Sequence, residues 1–386
     1  MRFFAFGVLL AAAALCSAGS QQPDSSQPEK VTVGQLQQRL AAAKTQTDTE
    51  IARQLSGVEL IQRLPFAHWS RLNADLPGPK SRQALLLLTD KSAFLGPPEE
   101  EIPADPVPTP AATRQMLVHV VNYVNTTLRQ LPNLIAVRTT ASFEDRPQKD
   151  NLEATGIVSY SYLPLHLVGG SSDTVTYRDH KEEVNESRKD GATHNGKTGG
   201  LVTTGEFGPI LIVVVGDAIK GSITWARWEL GANGTEAVFH YAVPADKSHY
   251  RVRFCCIVDG FAADGQANMQ VFDELAGYHG EIAFNPADGS ILRITVEAEM
   301  PSQELVPNAG IVIDYSPVQI GGKSYVCPER SVSLLSAHVN PQQGMASKAF
   351  YKGPAKTFLN DVEFSSYRRF GSESRIVIPG TAASNP

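Results

Sequence analysis

Cysteine is sparse among the side chains able to do covalent or redox chemistry: 386 residues hold 4, namely Cys16, Cys255, Cys256 and Cys327. Cys16 lies in an apolar N-terminal stretch, which leaves the adjacent pair and Cys327 for the body of the chain. If Tyr250 to Val258 is a strand, alternation puts Cys256 with Val252 and Phe254, and Cys255 with Arg251 and Arg253. Neighbouring cysteines that pair with each other close a small ring far from ordinary disulfide geometry. The expected bond therefore runs to Cys327, from Cys256 first and from Cys255 as the alternative, and acts as a staple across a sheet. A redox role would call for a Cys-x-x-Cys spacing or an activating neighbour.

Metal and nucleophile chemistry leave no signature. The 9 histidines are scattered and form neither His-Glu-x-x-His nor a Cys/His ligand set. His180, beside Asp179 and Glu182, is the one weak cluster, and it reads better as a hairpin tip. There is no Gly-x-Ser-x-Gly elbow, no P-loop and no dinucleotide-binding glycine pattern. Adjacent carboxylates such as Glu144 and Asp145 point to opposite faces of a strand and cannot act together. No catalytic residue, metal or cofactor is implied. A hydrolase whose Ser, His and Asp lie far apart in the chain stands as one alternative. Aromatic residues offer another kind of site. Trp225 and Trp228 lie on opposite faces of an extended segment, and one of them could join Phe239, Tyr241 and Phe254 in lining a hydrophobic cavity; ordinary core packing has the same composition.

Such residues need elements to hold them. Arg2, the apolar run Phe3 to Leu15 and the small residues up to Ala18 form a secretory signal at 1–18. The run is too short to span a membrane as a helix. Leu15, directly before Cys16, is larger than a lipidation site accepts. Export to the periplasm, the outer-membrane surface or the exterior follows. Residues 19–30 are a Gln/Ser/Pro-rich tether, and 371–386 a loose tail. A net charge of −6 argues against nucleic acid as a partner. Hydrophobic residues at 42% and charged residues at 19% indicate a globular body.

Residues 31–95 read as short helices. Capping boxes are expected at Thr47 to Glu50 and at Ser56 to Glu59, and Pro79 opens a further segment. Residues 96–108, with Pro97, Pro98, Pro103, Pro106 and Pro108, read as a linker whose Glu99-Glu100-Glu101 run is solvated. Residues 109–370 form the main body. Thr109-Pro110 starts a helix whose stripe is Leu117, Val120, Val121, Val124, Leu128 and Leu131. The period then shifts to two. Leu292, Ile294, Val296, Ala298 and Met300 alternate with Arg293, Thr295, Glu297 and Glu299, which predicts a strand with one wet face. Tyr278 to Asn285 is its partner across the Pro286–Gly289 turn. Further strands are expected at 175–178, 181–184, 211–215, 224–230, 237–243, 250–258, 311–317, 323–327, 331–337 and 357–367. The glycine-rich stretch 186–204 reads as a mobile loop.

Two stretches resemble the lipoprotein-carrier (LolA/RseB-like) fold. One runs from Gly280-Glu-Ile282 through Asn285-Pro-Ala-Asp288-Gly289 to Ile291-Leu-Arg-Ile294. The other is Ile313-Asp-Tyr315-Ser-Pro-Val318-Gln-Ile-Gly321-Gly-Lys323 with Tyr325. The resemblance covers about residues 205–340. The chain also looks like a group of exported bacterial envelope proteins in which a helical segment bearing Gln54-Leu-Ser-Gly57 precedes the sheet. The resemblance implies an unclosed, curved antiparallel sheet whose concave face is plugged by helices, and a hydrophobic ligand class.

The resulting expectation is an α+β protein with a helical N-terminal extension and a large curved antiparallel sheet packed on the helix at 109–131. Its function would be non-catalytic binding of a lipid or acyl chain on the concave face. The alternative is a scaffold with a self-filled core that docks on an envelope protein partner.

Overall fold

Thr32 and Thr47 each open a helix by reciprocal capping. Each hydroxyl accepts from the backbone N–H of the residue three further on, Gln35 or Glu50, and that side chain accepts from the threonine's own N–H. In the computed structural model these start α1 (Val33–Ala42) and α2 (Asp48–Ser56), which follow β1 (Glu29–Val31). The structure describes residues 28–370 except 151–158, 186–199, 202, 204, 233, 262–266, 302–304, 339–340, 344–349 and 353–354. The expected signal, most of the tether, the tail and most of the glycine-rich stretch lie outside the described residues.

The second capping box expected in this region, at Ser56 to Glu59, is not one. Val58–Leu60 forms strand β2, paired in parallel with β1, and buries Val58 and Leu60. Helices α3 (Phe66–Asp75) and α4 (Pro79–Lys91) complete the N-terminal segment around Leu36, Ile51, Leu55, Leu64 and Leu85. The following proline-rich stretch contains a short turn of helix, Glu99–Glu101. Its Glu101 is buried, where a solvated run was expected.

Helix α5 (Pro110–Asn122) begins at the expected Thr109 cap and continues as a wider turn, Tyr123–Thr127, and a tighter one, Leu128–Gln130. Strands β3 (Leu134–Asp150), β4 (Ser159–Arg178) and β5 (Lys181–Asn185) follow, then helix α6 (Pro209–Lys220). The apolar run 211–215 is thus helical, not a strand. Pro209 sits in its first turn, and one side is buried at Leu211, Val214, Val215 and Ala218. A short apolar run does not distinguish a buried strand from a buried helix.

The remaining strands are β6 (Ser222–Gly231), β7 (Gly234–Val243), β8 (Arg251–Phe261), β9 (Ala267–Leu275), β10 (Gly277–Phe284), β11 (Ile291–Glu299), β12 (Asn308–Ile320), β13 (Lys323–Ala337), β14 (Pro341–Gln343), β15 (Phe350–Lys352) and β16 (Lys356–Arg369). Ten strands form one open antiparallel sheet in the order β5-β4-β3-β16-β13-β12-β11-β10-β7-β6, with β5 and β6 as its edges. The fold is α+β. The segments 323–327 and 331–337, expected as two strands, are one strand, β13, paired with β12 across the Gly321-Gly322 turn. β8 and β9 form a separate hairpin, and β14 pairs with β15.

Alternation sorts side chains to two covered faces. Ile294, Val296, Ile311 and Ile313 pack under α5 and α6, together with Phe239, Tyr241, Tyr278 and Phe284. Leu335 and Phe358 lie on the same face beneath the β8–β9 hairpin, against Val252 and Phe254. Phe207 fills the third part, among Leu131, Tyr177 and Phe364. On the opposite face Val312, Val332 and Leu359 meet Ala93 and Phe94 of the N-terminal segment. The face of β11 expected to be wet is covered over its first half: Arg293 and Thr295 are both buried, and Arg293 donates to the Ala93 carbonyl at 2.6 Å, while Glu297 is half-buried and Glu299 exposed as expected. Ion pairs clamp the segment there. Arg63 pairs with Glu229, which also binds Arg227 at 2.8 Å, and Arg227 binds Glu281 at 2.6 Å. Arg330 bridges Asp90 of α4 and Asp361 of β16.

Candidate functional site: a groove at the end of α5

The turn after β10 is built to meet α5. Asn285 Oδ1 accepts from Ala287 N–H at 2.9 Å, and Asp288 Oδ1 accepts from Ser290 N–H at 2.9 Å and from its hydroxyl at 2.7 Å. Gly289 has φ +74°, and a Cβ there would stand 2.2 Å from the backbone carbon of His119. Only glycine lets the turn lie directly on the helix. His119 thereby acquires a structural role, its Nδ1 lying 3.2 Å from the Pro286 carbonyl oxygen.

Where the turn meets the widened end of α5, a groove of about 410 Å³ opens. Tyr123, Leu128 and Leu131 form its helical wall. Leu292, Pro317, Tyr325 and Val326 form much of its floor and far wall. The polar contribution comes from Thr235, Glu236, Asn285, Asp288, Ser290 and Ser324, and no Lys or Arg lines it among the described residues. Burial, reinforced by the charge of Glu229, pushes Glu236 up to about 7. The volume is within the range of small-molecule sites, and the lining mixes apolar and polar side chains in nearly equal number.

The aromatic residues expected to line a cavity are elsewhere. Phe239 and Tyr241 are core residues beneath α5 and α6; Phe239 stacks on Phe284 at 5.4 Å, and the Tyr241 hydroxyl donates to the Thr295 carbonyl at 2.6 Å. Phe254 of β8 packs on its cross-strand partner Phe272 of β9 at 4.9 Å, within the hairpin that covers Leu335 and Phe358. Trp225 and Trp228 do not point apart. A bulge between Trp225 and Arg227 resets the alternation, and the two rings meet at 4.7 Å. Trp228 Nε1 donates to the Pro106 carbonyl at 3.0 Å, which fastens the proline-rich stretch to β6.

The expected Cys256–Cys327 staple is absent, as is its Cys255 alternative. Cys255 is joined to Cys256 on β8, and Cys327 is a free, fully buried thiol on β13. β8 belongs to the separate hairpin and Cys327 to the cluster around Phe207, so the topology keeps the pair away from Cys327. Burial pushes the Cys327 thiol up to about 12, far from the range of a reactive thiolate. His180 lies at the β4–β5 turn with φ +65°, its Nδ1 3.4 Å from the Tyr177 hydroxyl. Among the described residues no group of His, Cys, Asp and Glu is arranged to hold a metal ion.

Leu128 and Leu131 stand on the expected helical stripe, and Pro286–Gly289 is the expected turn. That they meet around a groove has no local signal in the sequence, because the strands supplying Glu236, Pro317 and Tyr325 are distant in the chain. No protein-family model, curated protein or solved structure matches the chain. No helix of the described residues is long and apolar enough to cross a membrane.

Proposed function

We propose that this protein is an exported, non-catalytic envelope protein that binds an amphipathic ligand with an acyl chain or similar apolar body. The observation that carries the reading is the groove of about 410 Å³, walled by Leu128, Leu131, Leu292 and Val326. Its place differs from that of the first expectation: the sheet face is filled by α5, α6, the β8–β9 hairpin and Phe207, and the ligand lies at the end of α5 instead. Each methylene moved from water into such a wall contributes ~0.8 kcal/mol. The polar groups of its lining suit a hydrogen-bonding head. The signal at 1–18 and the resemblance of residues 205–340 to lipoprotein carriers support export and an apolar ligand class.

The filled sheet favours a second reading, in which the molecule is a scaffold for an envelope protein partner. Val118 of α5 and Ile212 and Ile219 of α6 are exposed on the outer side of the helical layer and would belong to such a contact. Native mass spectrometry of the mature protein, purified from an exporting host, separates the two. Added mass that extracts into organic solvent and matches a lipid supports the binding reading. A clean protein mass, unchanged after incubation with a lipid extract, supports the scaffold.

A further inference from the structure

Beside the groove, at the start of α6, a fully buried carboxyl group faces a half-buried one. Glu206 has no exposed surface, and neither of its carboxylate oxygens has a hydrogen-bond donor among the described residues. Its side chain faces that of Glu182 on β5. Glu182 Oε2 accepts from the backbone N–H of Gly205 at 3.1 Å and of Phe207 at 3.4 Å. Ionised carboxylates accept hydrogen bonds and cannot donate them, so two of them here would repel at short range. One proton between them supplies the missing donor.

The surroundings leave the pair as the group that titrates. Arg138 of β3 acts on Glu182 as a cation, while its Nη2 donates to Thr203 Oγ1 at 3.2 Å. Tyr177 of β4, Tyr315 of β12 and Tyr367 of β16 also face the pair, with Tyr123 and Cys327 behind them. Burial raises every one of these phenols and the thiol, which keeps them neutral at moderate pH. His180 reaches the pair only through Tyr177. Burial, with the charge of Glu206 added, pushes Glu182 up to about 8.

The pair adjoins a defined piece of structure. Phe207 is inserted between Tyr177, Phe364 and Tyr367, with ring centroids 5.9, 5.4 and 6.1 Å away. Gly208, next in the chain, lies against Leu128, a wall of the groove. The far end of α6 is held independently, because Asp217 accepts from His249 N–H at 2.8 Å and from the Tyr278 hydroxyl at 3.0 Å.

We propose that Glu182 and Glu206 form a proton-held latch: one shared proton keeps Phe207 in the core, and its loss frees the Gly205–Gly208 turn and the start of α6 beside the groove. The step is an acid dissociation in which the proton passes to water and no other covalent bond changes. The latch does not depend on what the groove binds, so its test needs no ligand.

Amide exchange of the peptide 205–215, read by mass spectrometry between pH 6 and 9.5, tests it. Rates are corrected at each pH with an unstructured peptide of the same sequence. The wild-type protein is expected to lose protection roughly tenfold per pH unit from pH 6 to about pH 8 and to level off above it, while a β12 peptide keeps its protection. Glu206→Gln, whose amide donates to Glu182 without a second charge, should show no such loss. Unchanged wild-type protection across the whole range, or an equal loss in Glu206→Gln, overturns the latch. Should Glu206→Gln fail to fold, Glu182→Gln takes its place, and the wild-type profile is decisive without either.

Discussion

Replacing Arg330 by methionine tests how the N-terminal segment is held on the sheet. Arg330 is 4% exposed and lies between Asp90 and Asp361, with its Nε 2.6 Å from Asp361 Oδ1. Phe66 and Trp69 of α3 cover the guanidinium at 5.5 and 5.8 Å. Two carboxylates share one cation, and burial together with the charge of Asp361 holds Asp90 well above its ordinary value. Methionine fills much of the volume and strands the second negative charge. The cheapest relief is to protonate it, which costs about 1.4 kcal/mol for each unit between the solution pH and an ordinary Asp value near 3.9. The penalty is then about 4 kcal/mol at pH 7 and about 1.5 at pH 5, in line with the usual cost of orphaning a buried charge. Urea denaturation at both pH values measures it, and Arg330→Met/Asp361→Asn should recover most of the loss. A penalty below about 1 kcal/mol at pH 7, or one equal at the two pH values, would refute the reasoning.

Glu101 and Glu236 are both raised by burial to about 7. Groups raised in the folded state stabilise fully below their unfolded value and lose that contribution as pH climbs to the folded one. The thermal midpoint should therefore fall between pH 5 and 7.5 and flatten in Glu101→Gln; a midpoint that rises over this window contradicts the assignment. Gly289→Ala combines the left-handed backbone with a Cβ 2.2 Å from His119 and should cost at least about 2 kcal/mol. Gly322→Ala, at φ +82° with nothing near its Cβ, should cost only about 1 in the same denaturation assay, and equal losses would remove His119 from the explanation. Peptide mapping without reductant should find Cys255 and Cys256 joined within one peptide, with Cys327 alkylated only in denaturant; rapid alkylation of Cys327 in the native protein would contradict its burial.

Period and turn chemistry made much of the sheet legible. Leu292 to Met300 alternates, Pro286–Gly289 and Gly321-Gly322 mark turns, and Leu117 to Leu131 repeats at helical spacing. What failed was whatever depends on a distant neighbour. Arg293 looks like part of a wet face until the N-terminal segment lies on it and takes its hydrogen bond at the Ala93 carbonyl. The 211–215 run needs the sheet beneath it to settle as a helix. A bulge reverses the parity of Trp228, and no local signal announces it. Glu206, in an unremarkable glycine-flanked segment, becomes notable only when Glu182 is brought to it.

The proposed function stands on an apolar ligand binding in the groove at the end of α5. Ser324 is exposed at its edge, so Ser324→Trp would obstruct the groove without entering the core. Titration of the wild-type protein and of Ser324→Trp with a dansyl-tagged fatty acid, followed by dansyl emission, is the direct measurement. Saturable binding to the wild-type protein is expected, and binding at least about tenfold weaker, ~1.4 kcal/mol, in the variant. Equal affinity in the two proteins, or no saturable binding to either, would contradict it.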